Sequence, residues 1–518
     1  MGNDWAHTFL GTIFLAVCCL GFALLALLVY RYAIGRLAVS GGAPFLQKRK
    51  HSDWVFLAFL VALAARITLA SVFIGHNDIT FFRYWAVQLQ KDFFSFYDGL
   101  SSYSYLPAYH YILYLVGLLA RLLGIPYTSG IFWVMLKLPS IVCDLVCAYL
   151  IYKISLKYLS PSRALAFCLL YLFNPAVFIN SSMWGQVDSF LALFTILCVQ
   201  FALERKYIQC LAVVGAALSF KLQFAFILPV VAAFILKDIV KSIKSRDYRI
   251  FSRLAIGFAA MVGAFLLLTL PLTIKYMLAG KPFFFIEVYL AQMGAYDYFS
   301  VNAFNFYSLI FKNWQPIPDT LIMGFLSYEA LNFIVIALLS LLCMALCWKA
   351  EDKHIYLCCA LLVLAVFTFS MEMHERYMFA ALPLLLLSAA ATRDNHVTGG
   401  VAAFSILQFL NCGLLLTRKT QYFTSDDLSL FIFSNLWVFY FLYFAIAATF
   451  ICLTREKPGR HPCEEQPAED AGKYAEKEQK ASRYGTEQKN SRYDQRYERK
   501  LQARRAAKLG RKDLAVMA

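Results

Sequence analysis

Charge is what this 518-residue chain has least of: 15% of its residues are Asp, Glu, Lys or Arg, whereas 60% are hydrophobic and 17% aromatic. A soluble domain of this length needs a charged surface, so the balance excludes one and requires a polytopic membrane protein. Metal-ligand spacing is missing as well. The 14 cysteines form no CxxC pair and no His/Cys cluster. Most of them, such as Cys18, Cys19, Cys143, Cys147, Cys168, Cys343 and Cys347, lie within apolar runs, where the thiol acts as a small hydrophobe. Neither a disulfide framework nor a metal site is expected. There is no glycine-rich phosphate loop, which removes the usual nucleotide folds. No internal repeat of the kind found in many secondary transporters is visible. The leader 1–7 has no basic residue, and the apolar run after it, about twenty residues, is long enough to span, so a cleavable signal is not expected.

The charge that is present has a pattern. A formal charge of +16 suggests nucleic acid until its placement is read. The basic residues sit in short connections between apolar runs and in the C-terminal tail, the footprint of inward-facing loops held by anionic lipid; membrane lipids are the expected partner and nucleic acid is not. The first span covers roughly 8–29, and Arg31, Arg36, Lys48, Arg49 and Lys50 after it put that loop inside and the N-terminus outside. The second span, 54–75, climbs outward and delivers His76, Asn77 and Asp78 to the outer surface. A wet, aromatic segment is expected over 79–106. The apolar stretch 107–123 has two readings. As a span it inverts every later loop; as an interfacial helix on the outer face it keeps all basic loops inside, and this second reading is adopted.

The inside loops are then 153–163, 204–206, 237–253, 349–354, 393–396 and the tail, and the outside loops 180–186, 275–327, 372–376 and 418–427. Between Ile208 and Leu236 the chain must rise and return within about thirty residues, which requires two short helices and a turn near Lys221, Leu222 and Gln223. The expected fold is an all-α polytopic bundle of about thirteen transmembrane helices with outward-facing interfacial helices. Residues 1–53 form the first span and its basic loop, 54–453 the catalytic membrane domain, and 454–518 a charged cytoplasmic tail, disordered or partly helical. The plainest role for that tail is an anchor on lipid headgroups, ahead of RNA binding or partner docking.

The densest charge near the membrane is Glu372-Met373-His374-Glu375-Arg376, between the almost wholly apolar runs 355–371 and 377–391. Ionisable groups at the lip of a bilayer are costly without a partner or a task. By the charge count this cluster faces the same side as Asp78. His374 and Arg376 offer donors to a phosphate, Arg as a fork that matches phosphate oxygens, with Glu375 holding one of them in place; the plainer reading is an ion-paired tight loop. Asp78 reads as a general base taking a proton from an acceptor hydroxyl, or as a helix-end cap. Arg83 would orient it or bind phosphate. In Ser182-Met183-Trp184-Gly185-Gln186-Val187-Asp188, Asp188 needs a partner, Trp184 offers a face for a sugar and Gln186 amide bonds for its hydroxyls; an aromatic belt with a helix cap is the alternative. Lys221 is a phosphate contact at the predicted turn or a snorkelling lysine. Asn302 and Asn305 are spaced to share a helical face in an aromatic setting, suited to a sugar, a headgroup or a structural interfacial helix. Tyr103, Tyr105, Pro107 and Tyr109 lead into the 107–123 helix and could line the same groove.

In chain order these features are Asp78, an aromatic loop, Ser104-Tyr105-Leu106-Pro107-Ala108-Tyr109, Leu136-Lys137-Leu138-Pro139-Ser140-Ile141 with Asp144, Trp184-Gly185-Gln186-Val187-Asp188, residues 300–305, and Met373-His374-Glu375-Arg376-Tyr377. That order resembles the GT-C superfamily of polyprenyl-phosphate-sugar-dependent glycosyltransferases, nearest to the prokaryotic relatives of the GPI mannosyltransferases. It covers roughly residues 54–450. The resemblance implies a helical core with an outward loop carrying a catalytic acid, onto which Asp78 maps. It also implies surface helices along the active groove, a donor sugar joined by one phosphate to dolichol or undecaprenol, and inversion at the anomeric carbon. No cofactor beyond that donor is expected. The His-Glu-Arg cluster also resembles the His-Glu-basic motif of dolichol-phosphate-glucose enzymes, so mannose leads and glucose stays open. Two departures stand out: many members carry adjacent acids where this chain has Asn77-Asp78, and a proline pair where it has Leu106-Pro107. The acceptor would be a glycan, lipid or protein hydroxyl on the exofacial side of a bacterial plasma membrane, or of the endoplasmic reticulum. A transporter or flippase of lipid-linked saccharides is the competing reading. It predicts charge pairs along a path through the bilayer, with Arg66 and Asp144 the mid-helix candidates. A scaffold that has lost catalysis is the third.

Overall fold

The computed structural model describes residues 13, 15–28, 51–73, 78–98, 105–293, 296–418, 423–424 and 427–454. The leader, the basic loop 29–50, His76, Asn77, Tyr103, Ser104 and the tail from 455 lie outside the described residues, as do the expectations attached to them.

Among the described residues the chain is helical and holds no strand, only isolated bridges. Nine helical runs among the described residues are long and apolar enough to cross a membrane, and shorter apolar helices accompany them. It is an integral membrane protein. The elements are α1 (Leu15–Leu28), α2 (His51–Val72), α3 (Asp78–Lys91), α4 (Pro107–Leu122), α5 (Gly130–Ser155), α6 (Pro161–Leu172), α7 (Asp188–Leu203), α8 (Tyr207–Phe220), α9 (Leu228–Ser245), α10 (Arg249–Leu278), α11 (Phe284–Met293), α12 (Tyr328–Lys349), α13 (Ile355–Phe369), α14 (Ala381–Thr392), α15 (Asn395–Leu416) and α16 (Leu428–Leu453).

Burial sorts these helices. α13 is buried from Ile355 to Thr368, and α14 is apolar and buried from Ala381 to Ala391. A helix that is hydrophobic all round belongs inside, and these two form the centre. α10 and α12 instead leave large side chains such as Leu267, Phe258 and Phe333 exposed, as a lipid-facing helix does. With lipid on the outside, helices associate by close backbone approach rather than by escape from water. α8 and α10 do this through two glycines. A Cβ on Gly215 would lie 2.0 Å from the Met261 carbonyl oxygen, and one on Gly257 3.0 Å from that of Tyr207.

The bundle has two chemically distinct ends. At one, the turns after α5, α7, α12 and α14 meet. Glu204 pairs with Lys157 and, at 2.7 Å, with Lys206; Arg205 pairs with Asp238 at 3.1 Å and with Asp352; Lys237 reaches Asp352 at 3.3 Å; Arg393 donates to the Tyr158 carbonyl. Burial opposes ionisation of Glu204, but the bonds from Lys157, Lys206 and Gln200 prevail and hold it down at about 2. α7 and α14 start at the other end, and α8 and α13 finish there.

Two expectations are corrected. The segment 79–106 is not simply a wet loop, because α3 fills its first half. Ile79, Phe82, Trp85, Ala86 and Leu89 are its buried residues, a helical period that packs on α4. The link to α4 is polar too: the Gln90 amide donates to the Tyr114 carbonyl at 2.7 Å. The second concerns the run 182–189, which reads in the sequence as the beginning of a descending span. Phe178–Trp184 is a π-helical turn, and α7 begins only at Asp188 itself. The predicted break near Lys221 is present: α8 stops at Phe220, Lys221 is extended, and a tight 3-10 turn, Leu222–Ile227, leads into α9.

Candidate functional site

The wide π turn makes the site possible. It ends on Gly185 in the left-handed region at φ +85, where a Cβ would sit 2.5 Å from Ile79 Cδ1 and 3.2 Å from Lys137 Cγ, so only glycine fits. The Gly185 and Gln186 amides both donate to the Asn180 carbonyl, at 3.1 and 2.9 Å. Beneath the turn lies Lys137, wholly buried on α5. Its ammonium donates to the carbonyls of Ser182 at 3.1 Å and Met183 at 3.2 Å, and to those of Ala70 and Phe73 at the end of α2. These are carbonyls at helix C-termini, where a cation is favoured. Lys137 therefore fastens α2 to the turn that presents Gln186.

Gln186 is fully buried and its amide is spoken for: Oε1 accepts from the Tyr105 hydroxyl at 3.2 Å, and Nε2 donates to Asp78 Oδ2. The same Asp78 oxygen lies 3.7 Å from Arg376, and the Asp78 side chain keeps 26% of its surface open. Asp78 thus stands at the start of α3, fixed from behind and reachable from the front.

That front is a partly open cavity whose polar lining includes Asp78, Lys221, Arg376, Gln223, Gln292 and Tyr105. Phe81, Phe82, Trp85, Phe220, Tyr296 and Tyr377 supply its aromatic wall. Asp188 and Glu375, each 1% exposed, stand behind that lining. Asp188 pairs with Lys221, accepts from Asn180 at 2.9 Å and approaches Arg376 at 3.9 Å; Glu375 pairs with Arg376. Burial alone would favour a neutral Arg376, yet Glu375, Asp78 and Asp188 hold its pKa above the usual arginine range. The Arg376 guanidinium also lies over the Trp184 ring at 5.5 Å, and the Lys221 ammonium over Tyr377 at 5.6 Å. Two cations face the cavity, each paired with a carboxylate that sits deeper; at Lys221, Asp188 opposes a burial that still lowers the ammonium pKa.

The structure brings Asp78, Lys221, Arg376 and Tyr105 to this cavity, with Gln186, Asp188 and Glu375 directly behind. Other expected residues are placed elsewhere. Trp184, 1% exposed, stacks on Arg376 rather than offering a sugar platform. His374 is buried edge-on against Tyr296 at 4.2 Å, with Nδ1 3.9 Å from Glu375, and forms wall rather than lining. Arg83 lies over Trp133 at 4.9 Å, outside the cavity. Asn302 and Asn305 do not share a helical face, because their segment is non-helical. Asn302 sits at φ +58, and its side-chain oxygen accepts from Asn313 at 2.8 Å, Phe423 N at 3.0 Å and Trp314 at 3.2 Å. Asn305 accepts from Ser308 N at 3.1 Å. Both asparagines knit loops together. Sequence reasoning missed Phe81, Phe82 and Trp85 as lining, although they stand three, four and seven residues after Asp78, the signature of one helical face. It also gave Lys137 no role.

No protein-family model and no curated protein sequence matches the chain.

Proposed function

We propose that this protein is a membrane glycosyltransferase that moves a hexose, mannose first and glucose second, from a polyprenyl-phosphate donor to an acceptor hydroxyl with inversion. One observation carries the reading: an accessible carboxylate, Asp78, and two buttressed cations, Lys221 and Arg376, line one aromatic cavity at the helix ends opposite the basic loops. With the basic loops inside, the bundle of about thirteen spans turns that cavity outward, at the depth of a lipid headgroup.

The chemistry follows from the positions. The acceptor O–H gives its proton to Asp78 as its oxygen bonds to the anomeric carbon. The bond from that carbon to the phosphate oxygen breaks, and the electron pair leaves with the polyprenyl phosphate. Lys221 and Arg376 meet the charge that develops on that oxygen. Because Asp188 and Glu375 already hold both cations in place, little reorganisation is needed when the phosphate arrives. Trp85, Phe81 and Tyr296 offer faces for the sugar ring. The transporter reading gains nothing from its candidate charges. Arg66 and Asp144 pair at 3.6 Å with both side chains wholly buried, and Ser181 donates to Asp144, which is a sealed structural pair rather than a wet path.

The test is incubation of purified protein with polyprenyl-phospho-mannose and, separately, polyprenyl-phospho-glucose, following donor consumption. One donor should be consumed, and Asp78→Asn should slow transfer by about 10²–10⁴-fold with the fold intact. Consumption of neither donor, or full activity in Asp78→Asn, rejects the proposal.

A further inference from the structure

The basic end of the bundle holds a groove that sugar transfer does not use. It lies where α9 turns into α10, with Arg246 in the left-handed region at φ +56. Arg205, Asp238, Lys241, Asp247, Arg249 and Arg253 supply its charge. Four cations face two carboxylates, a surplus of two positive charges.

The surplus can be assigned to residues. Arg205 is held by Asp238 at 3.1 Å and by Asp352. Arg249 forks onto Asp247 at 2.8 and 2.9 Å, which closes the turn. Lys241 has only marginal contacts, 3.5 Å to Asp238 and 3.9 Å to Asp352, and is 55% exposed. Arg253 is exposed and lies one helical turn after Arg249, on the same face of α10. Lys241 and Arg253 are therefore the cations with most to gain from an added anion. Beyond the groove, the face of α10 that carries Arg249 and Arg253 continues into the exposed apolar side chains Ile256 and Leu267. A free anion has no use for such a flank, whereas a phospholipid has acyl chains to lay along it.

We propose that this groove is a binding site for an anionic phospholipid, its phosphate seated between Lys241 and Arg253 and its chains along the apolar flank of α10. Arg253 offers a guanidinium fork for phosphate oxygens, and Lys241 a point charge. The proposal is independent of the sugar-transfer reading, because no residue of the cavity takes part.

The test uses the full chain, purified in detergent and then mixed with equal amounts of phosphatidylglycerol and phosphatidylcholine, with bound lipid read by native mass spectrometry. Wild type should retain phosphatidylglycerol preferentially. Lys241→Gln with Arg253→Gln should reduce that preference, by up to about fivefold for each cation removed. Lys153→Gln with Arg163→Gln, which removes the same charge from the same end outside the groove, should leave it unchanged. Equal retention of both lipids by wild type, or an unchanged preference in the Lys241/Arg253 variant, overturns the proposal. So does an equal loss in the two double variants, which would make the effect one of bulk charge. A thermal-shift arm with inorganic phosphate alone separates the sources: stabilisation as large as that from phosphatidylglycerol, lost in the Lys241/Arg253 variant, would replace the lipid site with a free-anion site.

Discussion

Replacing Lys221 with Met tests whether the cations of the cavity are held by the carboxylates behind them. Met keeps most of the length and apolar volume of Lys and removes the charge. Lys221 is 12% exposed and its partner Asp188 1%, so the variant strands a carboxylate inside protein. Breaking a buried pair from one side typically costs about 3–5 kcal/mol. Here Asp188 keeps the Asn180 amide at 2.9 Å and Arg376 at 3.9 Å. At an effective dielectric near 20 that second contact has a Coulomb scale of about 4 kcal/mol before desolvation. The expected loss therefore lies at the low end, about 3 kcal/mol. Adding Asp188→Asn removes the stranded charge and preserves shape, so the double variant should lose only about 1 kcal/mol; because Asp188→Asn alone also breaks the pair, the coupling is at least about 2 kcal/mol. Equilibrium unfolding by SDS titration in mixed micelles measures all four corners of this cycle. A Lys221→Met cost below about 1 kcal/mol, or simple additivity in the double variant, would refute the buttressing argument.

Two further predictions follow from the same geometry. Lys137→Met leaves the carbonyls of Ala70, Phe73, Ser182 and Met183 without their shared donor. It should cost about 3 kcal/mol in the same unfolding assay and, through Gln186, lower the proposed transfer activity, whereas unchanged stability would remove Lys137 as the fastener of the turn. Glu372 is pushed up to about 7 by burial, with Asp297 and Glu329 adding like charge. Its folded pKa lies above its unfolded value near 4.5, so the folded state holds a proton that the unfolded chain releases. The resulting penalty is absent below pH 4.5, grows through the window and is complete above about 7. Partial exposure and screening bring its size to the order of 1–2 kcal/mol. Glu372→Gln should therefore be more stable than wild type by that amount at pH 8 and indistinguishable at pH 4, and a pH-independent difference would reject the assignment.

Much of the helical architecture was legible because its signals are local. Runs such as 355–371 and 428–453 are apolar at every period, and no water-facing helix can be. Lys221 marked the break in the α8–α9 hairpin because a charge between two short apolar runs has nowhere else to go. α3 was overlooked because its apolar residues occupy one face only, and the aromatic and polar residues between them hid the period. The cluster around Arg376 was legible as dense charge in a five-residue turn. Which of its members faces the cavity was not, because neighbours in a turn point in different directions: Arg376 turns in, while His374 packs against Tyr296. Gln186 and Trp184 looked like sugar contacts because an amide and an indole suit carbohydrate. The π turn aims them instead at Asp78 and Arg376.

The amino-acid order alone determined that the chain is built of apolar helices with its charge confined to their ends, since helix formation and hydrophobicity act over a few neighbouring residues. The tertiary structure decided which of those ends meet. Asp78 and Gln186, 108 positions apart, share a hydrogen bond only because Lys137 and the close approach at Gly185 lock two distant segments together. The division of the polar residues into two cations at the cavity and two carboxylates behind them comes from packing, which sets depth and direction for each side chain independently of its place in the sequence.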